Sequence, residues 1–317
     1  MPDTISQLSI VCQVYSDQIS NSLLADPLFC FYYFASPAYA AHVRNRGIGG
    51  AVPGINLGIL KSLRIALPPK NVQIRIVSML SAYDDLIENN TRRIALLEQA
   101  ARLLYEEWFV RLRFPGREHT RISEGVPIAW ERQRLDCITH INRDSLRGSF
   151  DGQIEYVDIA SVTPGLISET SVLDFKEAPS RARRVVQHGD IIWSCVRPNR
   201  RSHAVIWQPP TNLIVSTGFA VITPLKVPTS YLHQAVTTDG FAGYLENRAR
   251  GAAYPAVVAS DFAEATIVIP SSRLLRAFDE FAEPILAQIH NLRTQSQKAR
   301  EARDLLLPRL MSGEVAV

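Results

Sequence analysis

Arginine side chains are concentrated in one short segment of the chain. The six arginines between positions 181 and 203 stand against a single acid, Asp190. A guanidinium group neutralises phosphate, and its planar fork also fits the guanine edge in the major groove of DNA. An amide such as that of Asn199 can pair with adenine. The residues predicted to contact nucleic acid here are Arg181, Arg183, Arg184, Arg197, Asn199, Arg200 and Arg201.

A second basic segment lies about fifty residues further on. Arg248, Arg250 and Tyr254 surround a Gly-containing turn and form a second predicted contact surface. Arginine clusters on loops are more often solvated or ion-paired than bound to a ligand. Both interpretations of these arginines therefore stay open at this point.

The usual catalytic motifs are absent from the sequence. It holds no G-x-x-x-x-G-K-[ST] phosphate loop and no H-E-x-x-H zinc motif. Its two Pro-Pro pairs lack the preceding Asn or Asp and the following aromatic residue of an adenine methyltransferase. We therefore predict no catalytic residues, no metal site and no cofactor held by this chain.

Composition indicates an ordinary soluble protein of about two domains. The 317 residues are 46% hydrophobic and 21% charged, with a formal net charge of +3. The four cysteines are far apart and form no C-x-x-C pair, which favours a reducing compartment. There is no apolar run of the roughly 18 residues that a membrane helix needs, and no signal peptide. These features predict a cytoplasmic location.

An internal repeat is the most informative feature of the sequence. When residues 45–69 are shifted by 202 positions, Asn45 and Arg46 fall on Asn247 and Arg248, and the shift needs no gap. Gly49 falls on Gly251 and Pro53 on Pro255. We predict a two-fold internal repeat with an offset of about 202 residues.

A long helix with a heptad pattern is predicted after each copy, over 70–114 and 271–313. The offset superimposes their apolar positions, and Asn90 is the polar exception, which would fix register. Pro284 is expected to kink the second helix or mark its start, and Pro308 to end it. The predicted seam consists of Ile76, Tyr83, Asn90, Leu97 and Leu104 in the first helix and Phe278, Ile285, Leu292, Ala299 and Leu306 in the second.

A segment of mixed α/β character, 127–270, lies between the helices. Pro- and Gly-containing turns separate its short β-like runs, and one helical stretch covers about 231–247. The predicted strands are Ile154–Ile159, Asp190–Trp193, His203–Trp207, Leu213–Val215, Gly218–Ile222 and Thr266–Ile269. Residues 115–126 are a predicted linker and 314–317 a tail. Residues 1–69 look like the second half of an equivalent domain, so we expect the first copy to be truncated.

Four stretches resemble the specificity subunits of type I restriction–modification systems. These are LLEQAARLLYEEWF at 96–109, GDIIWS at 189–194, STGFA at 216–220 and ARDLLLPRLMSG at 302–313. The resemblance covers nearly the whole chain and implies two α/β (α+β) target-recognition domains, 1–69 (partial) and 127–270 (complete). It also implies that the two long helices form an antiparallel coiled-coil spacer.

The resemblance also implies the binding partners of the protein. It implies binding to double-stranded DNA, to methyltransferase (modification) subunits and to restriction/translocase subunits. S-adenosylmethionine, ATP and Mg would belong to those partner subunits. Pairing of two such chains, or of this chain with a complementary fragment, stays an open alternative.

Two other functions remain to be weighed. The chain could be a coiled-coil scaffold whose α/β domain binds protein, or a free-standing DNA-binding regulator without a methyltransferase partner. Salt dependence separates the first from DNA binding, because phosphate contacts weaken steeply with salt. An effect of the chain on adenine methylation distinguishes a specificity subunit from the free-standing regulator.

Overall fold

The computed structural model describes residues 24–44, 65–123, 125–148 and 150–317. The chain divides into a first unit, residues 1–94 with 291–317, and a second unit, residues 95–290. Both boundaries fall inside the predicted long helices, so each helix contributes to both units. The repeat positions Asn45, Arg46, Gly49 and Pro53 lie outside the described residues.

The described part of the first unit is helical. It contains α1 (Pro27–Ala35), α2 (Pro37–Arg44), the beginning of α3 (Lys70–Tyr105) and the end of α7 (Ser272–Met311). The carboxylate of Asp26 accepts hydrogen bonds from the first backbone N–H groups of α1 and so caps this helix. Of the helices in the described ranges, none is sufficiently long and apolar to span a membrane.

The two long helices differ from their predicted ends. The regular part of α3 ends at Tyr105, and one π-helical turn, Glu106–Val110, follows it. This helix begins before Pro284 and continues past Pro308 to Met311, so the predictions that Pro284 marks its start and that Pro308 ends it are wrong, while a kink at Pro284 stays a prediction. Proline removes one helical hydrogen bond. We attribute the tolerance of Pro308 to packing, since Leu307 and Leu310 on either side of it are buried.

Two four-stranded sheets form the centre of the second unit. The first has the order β11 (His203–Val205), β10 (Ile191–Ser194), β13 (Phe219–Pro224) and β4 (Thr139–Ile141), with every neighbouring pair antiparallel. The second has the order β8 (Ser171–Asp174), β5 (Gln153–Val157), β12 (Leu213–Ser216) and β9 (Ala182–Val185), and only β5 and β12 are parallel. Paired short strands complete the unit: β1 (Ile122–Ser123) with β2 (Val126–Pro127), β3 (Glu131–Arg134) with β14 (Thr266–Ile269), and β6 (Val162–Thr163) with β7 (Leu166–Ile167).

Strand alternation explains how the first sheet is buried on both faces. Successive side chains of a strand point to opposite faces, so an apolar run serves two cores at once. In β10, Ile191 and Trp193 face a core shared with helices, while Ile192 faces a core shared with the second sheet. Val215 of β12 lies in that inter-sheet core. The sheets therefore pack face to face, and the β10 backbone is fixed on both sides.

The helix predicted over about 231–247 is two helices. α4 (Thr229–Val236) ends at Thr237, and the side chain of Thr238 caps α5 (Asp239–Arg248) by accepting a hydrogen bond from the backbone N–H of Phe241. Threonine competes for backbone donors and so favours a helix end over a helix interior. A short helix, α6 (Ala259–Ala263), follows. The predicted linker, 115–126, also contains a 3-10 turn and β1.

The buried histidine of β11 gives the second unit a specific pH dependence. His203 is 7% exposed and stacks on Trp193, and burial lowers its pKa to about 4, helped by the charges of Arg102 and Arg201. The unfolded chain binds this proton near pH 6.5. The contribution of neutral His203 to the free energy of unfolding is therefore fully present above pH 6.5. As the pH drops toward 4, this free energy falls by roughly 3 kcal/mol.

Denaturant titration between pH 7 and pH 4 measures this loss. His203→Gln should flatten the profile, whereas the control His140→Gln, at an exposed position of β4, should leave it unchanged. An equally steep profile in His203→Gln would show that other groups cause the acid sensitivity.

Candidate nucleic-acid interface

The first arginine segment is a strained loop between β10 and β11. Arg197 and Arg201 flank a 3-10 turn, and both have left-handed backbone conformations, with φ of 51° and 52°. Such conformations are uncommon for residues other than glycine and cost of order 1–3 kcal/mol unless the surroundings impose them. Here hydrogen bonds hold both residues: the Arg197 N–H donates to the carbonyl of Pro255 over 2.7 Å, and the Arg201 N–H donates to the carbonyl of Pro198 over 2.9 Å.

The second arginine segment lies directly beside this loop. Arg250 and Ala256 exchange two backbone hydrogen bonds of 2.9 Å, and Val257 N–H donates to the Cys195 carbonyl over 2.9 Å. The two segments that the sequence presents separately therefore form one continuous surface. We call it the arginine surface and define it by Arg197, Arg200, Arg248, Arg250 and Tyr254.

An aromatic ring lies at the junction of the two segments. The guanidinium carbon of Arg197 is 4.7 Å from the centroid of the Tyr254 ring, which is a cation–π contact. Tyr254 is 69% exposed, so its ring is available to a ligand on the side away from the arginine. Asn199 and Arg200, in the same loop, are also exposed.

Acidic side chains pair with arginines of both segments. Arg201 Nη1 lies 2.5 Å from Asp239 Oδ1, and Arg248 Nη1 lies 2.7 Å from Glu264 Oε2. Arg250 is 74% exposed and faces the buried Asp261. The surface thus keeps exposed positive charge while its side chains are oriented by acids.

Arg183 of β9 and Arg181, which directly precedes this strand, are used differently from the arginines of the loop. Arg181 forms an ion pair with Asp158 and donates to the Tyr156 hydroxyl over 3.1 Å. Arg183 lies over the ring of Phe175 at 4.4 Å. These contacts occupy both side chains within the domain.

Arg184 of β9 contacts the segment between β4 and β5. It forms an antiparallel bridge with Ser145 and donates to the Ser145 hydroxyl over 3.1 Å. These contacts hold Arg184 apart in the chain from the two segments of the arginine surface.

Sequence reasoning missed the acids that pair with the arginines of the two segments. Asp239 and Asp261 each stand in the first turn of a helix, where acids are common for reasons of capping. Only the fold shows that Asp261 faces Arg248 and Arg250. Within the described ranges, no three His, Cys, Asp or Glu side chains are grouped as metal ligands would be.

The turn of the second segment depends on one glycine. Gly251 has φ of +99°, and a Cβ atom built there would lie 3.1 Å from the carbonyl oxygen of Tyr254. Gly251→Ala should therefore cost about 1–3 kcal/mol of strain in this turn and weaken nucleic-acid binding. Thermal melting and duplex titration measure the two effects.

A glycine in a neighbouring helix provides the control. Gly240 of α5 has no atom within 4 Å of a built Cβ, so Gly240→Ala should stabilise the helix by roughly 0.5–1 kcal/mol and leave binding unchanged. If both alanine variants bind as the parent does, the conformation of the Gly251 turn is not needed for the interface.

Comparison with known proteins shows what this chain is similar to. Residues 11–99 match the family model described as "Type I restriction modification DNA specificity domain". The chain is 23% identical over 310 residues to the type I restriction enzyme MjaIX specificity subunit of Methanocaldococcus jannaschii, covering 91% of this chain and 69% of that protein. It is 22% identical over 331 residues to the type I restriction enzyme HindI specificity subunit of Haemophilus influenzae, covering 84% and 72%.

A solved structure shares the fold. The crystal structure of a type I restriction–modification system S subunit from M. genitalium matches with a TM-score of 0.56 and 18% identity, over 92% of this chain and 74% of that one. The fold is therefore an α/β recognition-domain fold with a long C-terminal helix. Together with the matched domain and the curated relatives, it shows that the chain is similar to the specificity subunits of type I restriction–modification systems.

Proposed function

We propose that this chain recognises a DNA sequence and directs partner subunits to it. The observation that carries the proposal is the arginine surface, in which two separate segments are joined by backbone hydrogen bonds. Arg197 and Arg200 supply cations, and the exposed ring of Tyr254 supplies a stacking face. Arginine forks can read guanine edges and neutralise phosphates. A protein-binding scaffold would not require this set of groups.

Titration with DNA at several salt concentrations tests the proposal. A 40-base-pair duplex of random sequence and the full-length chain are the components, and fluorescence anisotropy reports binding. The logarithm of the affinity should fall linearly with the logarithm of the salt concentration, since each phosphate contact releases counterions. Absence of salt-dependent duplex binding would contradict DNA recognition and favour the scaffold.

We further propose that the long helices form an antiparallel spacer with internal two-fold symmetry. In the first unit Asn90 Nδ2 donates to the carbonyl of Leu292 over 3.5 Å, and Arg303 pairs with Asp84. As the residue number rises along α3 it falls along α7, which supports an antiparallel pair. The first of these contacts joins residues separated by 202 positions, which is the offset of the repeat.

Equivalent contacts in the two units support the same symmetry. In the second unit Phe278 lies 6.2 Å from Tyr105 and 6.3 Å from Tyr231, measured between ring centroids. The positions related to these three by the offset are Ile76, Leu307 and Phe29, and they share one buried cluster in the first unit. We therefore infer that two related half-sites are read at a separation set by the helices.

We propose that methyltransferase subunits dock on the helices, one on each copy of the repeat. Met79 and Phe281 are related by the offset, and they are 40% and 61% exposed. Large apolar side chains exposed at equivalent positions suit two copies of one partner. Restriction/translocase subunits complete the complex, and S-adenosylmethionine, ATP and Mg act in the partners. The complex works in the cytoplasm on chromosomal or invading DNA.

Stoichiometry tests this docking. The chain co-expressed with its methyltransferase subunit should give a complex with two methyltransferase copies by native mass measurement. Phe281→Glu and Met79→Glu should each remove one copy, whereas Lys298→Glu, at an exposed position of α7, should remove none. Retention of both copies in both apolar-to-acid variants would place the docking surface elsewhere.

A further inference from the structure

A buried carboxylate lies beneath the arginine surface. Asp261 is 2% exposed and stands in the first turn of α6. Its Oδ2 accepts a hydrogen bond of 2.8 Å from Val258 N–H, and its backbone carbonyl accepts one of 3.0 Å from the Tyr244 hydroxyl. The Val258 N–H therefore holds the carboxylate and the Tyr244 hydroxyl holds the backbone of Asp261, and neither residue belongs to the arginine surface.

The second carboxylate oxygen faces two arginines. Asp261 Oδ1 lies 3.8 Å from Arg248 Nη1 and 3.7 Å from Arg250 Nη2. Both distances exceed a hydrogen bond, so the interaction is electrostatic, and burial of the carboxylate strengthens it relative to a surface pair. Capping of α6 needs only Oδ2. The charge on Oδ1 is then left to act on the two guanidinium groups.

We infer that Asp261 is a positioning residue that sets how selectively the arginine surface reads DNA sequence. The inference rests on the proposed function and deepens it. Reading a base edge needs a guanidinium held in a defined orientation, whereas neutralising a phosphate does not. By restraining Arg248 and Arg250, the buried charge favours base contacts over contacts with any nearby phosphate.

A neutral isostere separates the capping of α6 by the carboxylate from the effect of its charge on the arginines. In Asp261→Asn the amide oxygen can still accept from Val258 N–H, but the charge facing the arginines is lost. The matched control is Glu280→Gln, which removes the same charge from an exposed position of α7. Thermal melting of both variants establishes that the fold is retained.

Two measurements on the full-length chain test the inference. The Asp261→Asn protein should bind a 40-base-pair random-sequence duplex two- to threefold more tightly, with a steeper salt dependence, because freed arginines reach more phosphates. In selection from a pool of randomised 40-base-pair duplexes, enrichment of the preferred sequence should fall about tenfold, the discrimination expected of one oriented arginine. Glu280→Gln should change enrichment less than twofold.

A double-variant comparison tests whether Asp261 acts through the arginines. In an Arg248→Gln/Arg250→Gln background, Asp261→Asn should cause no further loss of enrichment. An equal further loss would show that the residue acts only by supporting the fold. If Asp261→Asn melts below the assay temperature, Arg250→Gln alone is the test, since its side chain is 74% exposed, and it should lose enrichment more than affinity.

The outcomes distinguish the inference from the proposed function. If the parent chain binds no duplex, DNA recognition itself is contradicted. If the parent enriches a sequence and Asp261→Asn enriches it equally, the positioning role is contradicted and DNA recognition stands.

Discussion

Replacing Arg197, Arg200 and Arg250 together by glutamine should weaken binding to a random-sequence duplex about a hundredfold at 0.15 M salt. Each lost phosphate contact changes the slope of log affinity against log salt concentration by roughly 0.9. At 0.15 M salt this corresponds to about fivefold weaker binding per contact. The three side chains belong to two segments that backbone hydrogen bonds hold side by side. Their losses should therefore combine on one ligand.

Anisotropy titrations at 0.05, 0.15 and 0.3 M salt measure both the affinity and the slope. The control replaces Arg276, Lys298 and Arg300 of α7, which are exposed and away from the arginine surface in sequence, by glutamine. It removes the same net charge. Equal weakening by both triple variants would mean that overall charge, and not the arginine surface, determines binding.

Trp193→Ala should lower the free energy of unfolding of the second unit by roughly 3–5 kcal/mol. Trp193 is fully buried, and its indole N–H donates to the carbonyl of Val236 over 3.0 Å. Its ring also packs near Phe241 and Phe262. The substitution leaves both a cavity and an unsatisfied buried carbonyl, whose costs add.

Denaturant titration followed by circular dichroism measures this loss. Trp193→Phe retains most of the volume and loses only the indole donor and part of the ring, so it should cost clearly less than the alanine variant. The β10–β11 loop starts directly after this strand, so duplex affinity should fall in parallel with the folded fraction. A loss below 1 kcal/mol in Trp193→Ala would contradict the role of Trp193 in fixing β10.

Elements with a strong local signal could be predicted from the sequence. The apolar runs of β10, β12 and β13 are buried on both faces, and the predicted strand Thr266–Ile269 has the bounds observed. The antiparallel partner of that strand, Glu131–Arg134, was missed because its side chains are charged and mostly exposed. An edge strand of this kind is determined by its neighbour and not by its own pattern.

The sequence did not predict which segments form the interface together, because the contacts that join them are distant in sequence. The loop arginines and Tyr254 could be named individually, but nothing local to either segment indicates the hydrogen bond between Arg197 and Pro255. The predicted helix ends were wrong for a similar reason. Pro308 has a strong local tendency to end a helix, yet burial of Leu307 and Leu310 outweighs it.

A map of adenine methylation in cells tests the central claim most directly. Cells that carry this gene with its methyltransferase subunit are compared with cells that lack this gene alone. The account predicts a new methylated motif with two separated parts, and its loss in the Arg197→Gln/Arg200→Gln/Arg250→Gln variant; a palindromic motif would indicate that two chains pair. An unchanged methylation map, with the folded chain and its methyltransferase subunit both present, would contradict sequence recognition by this protein.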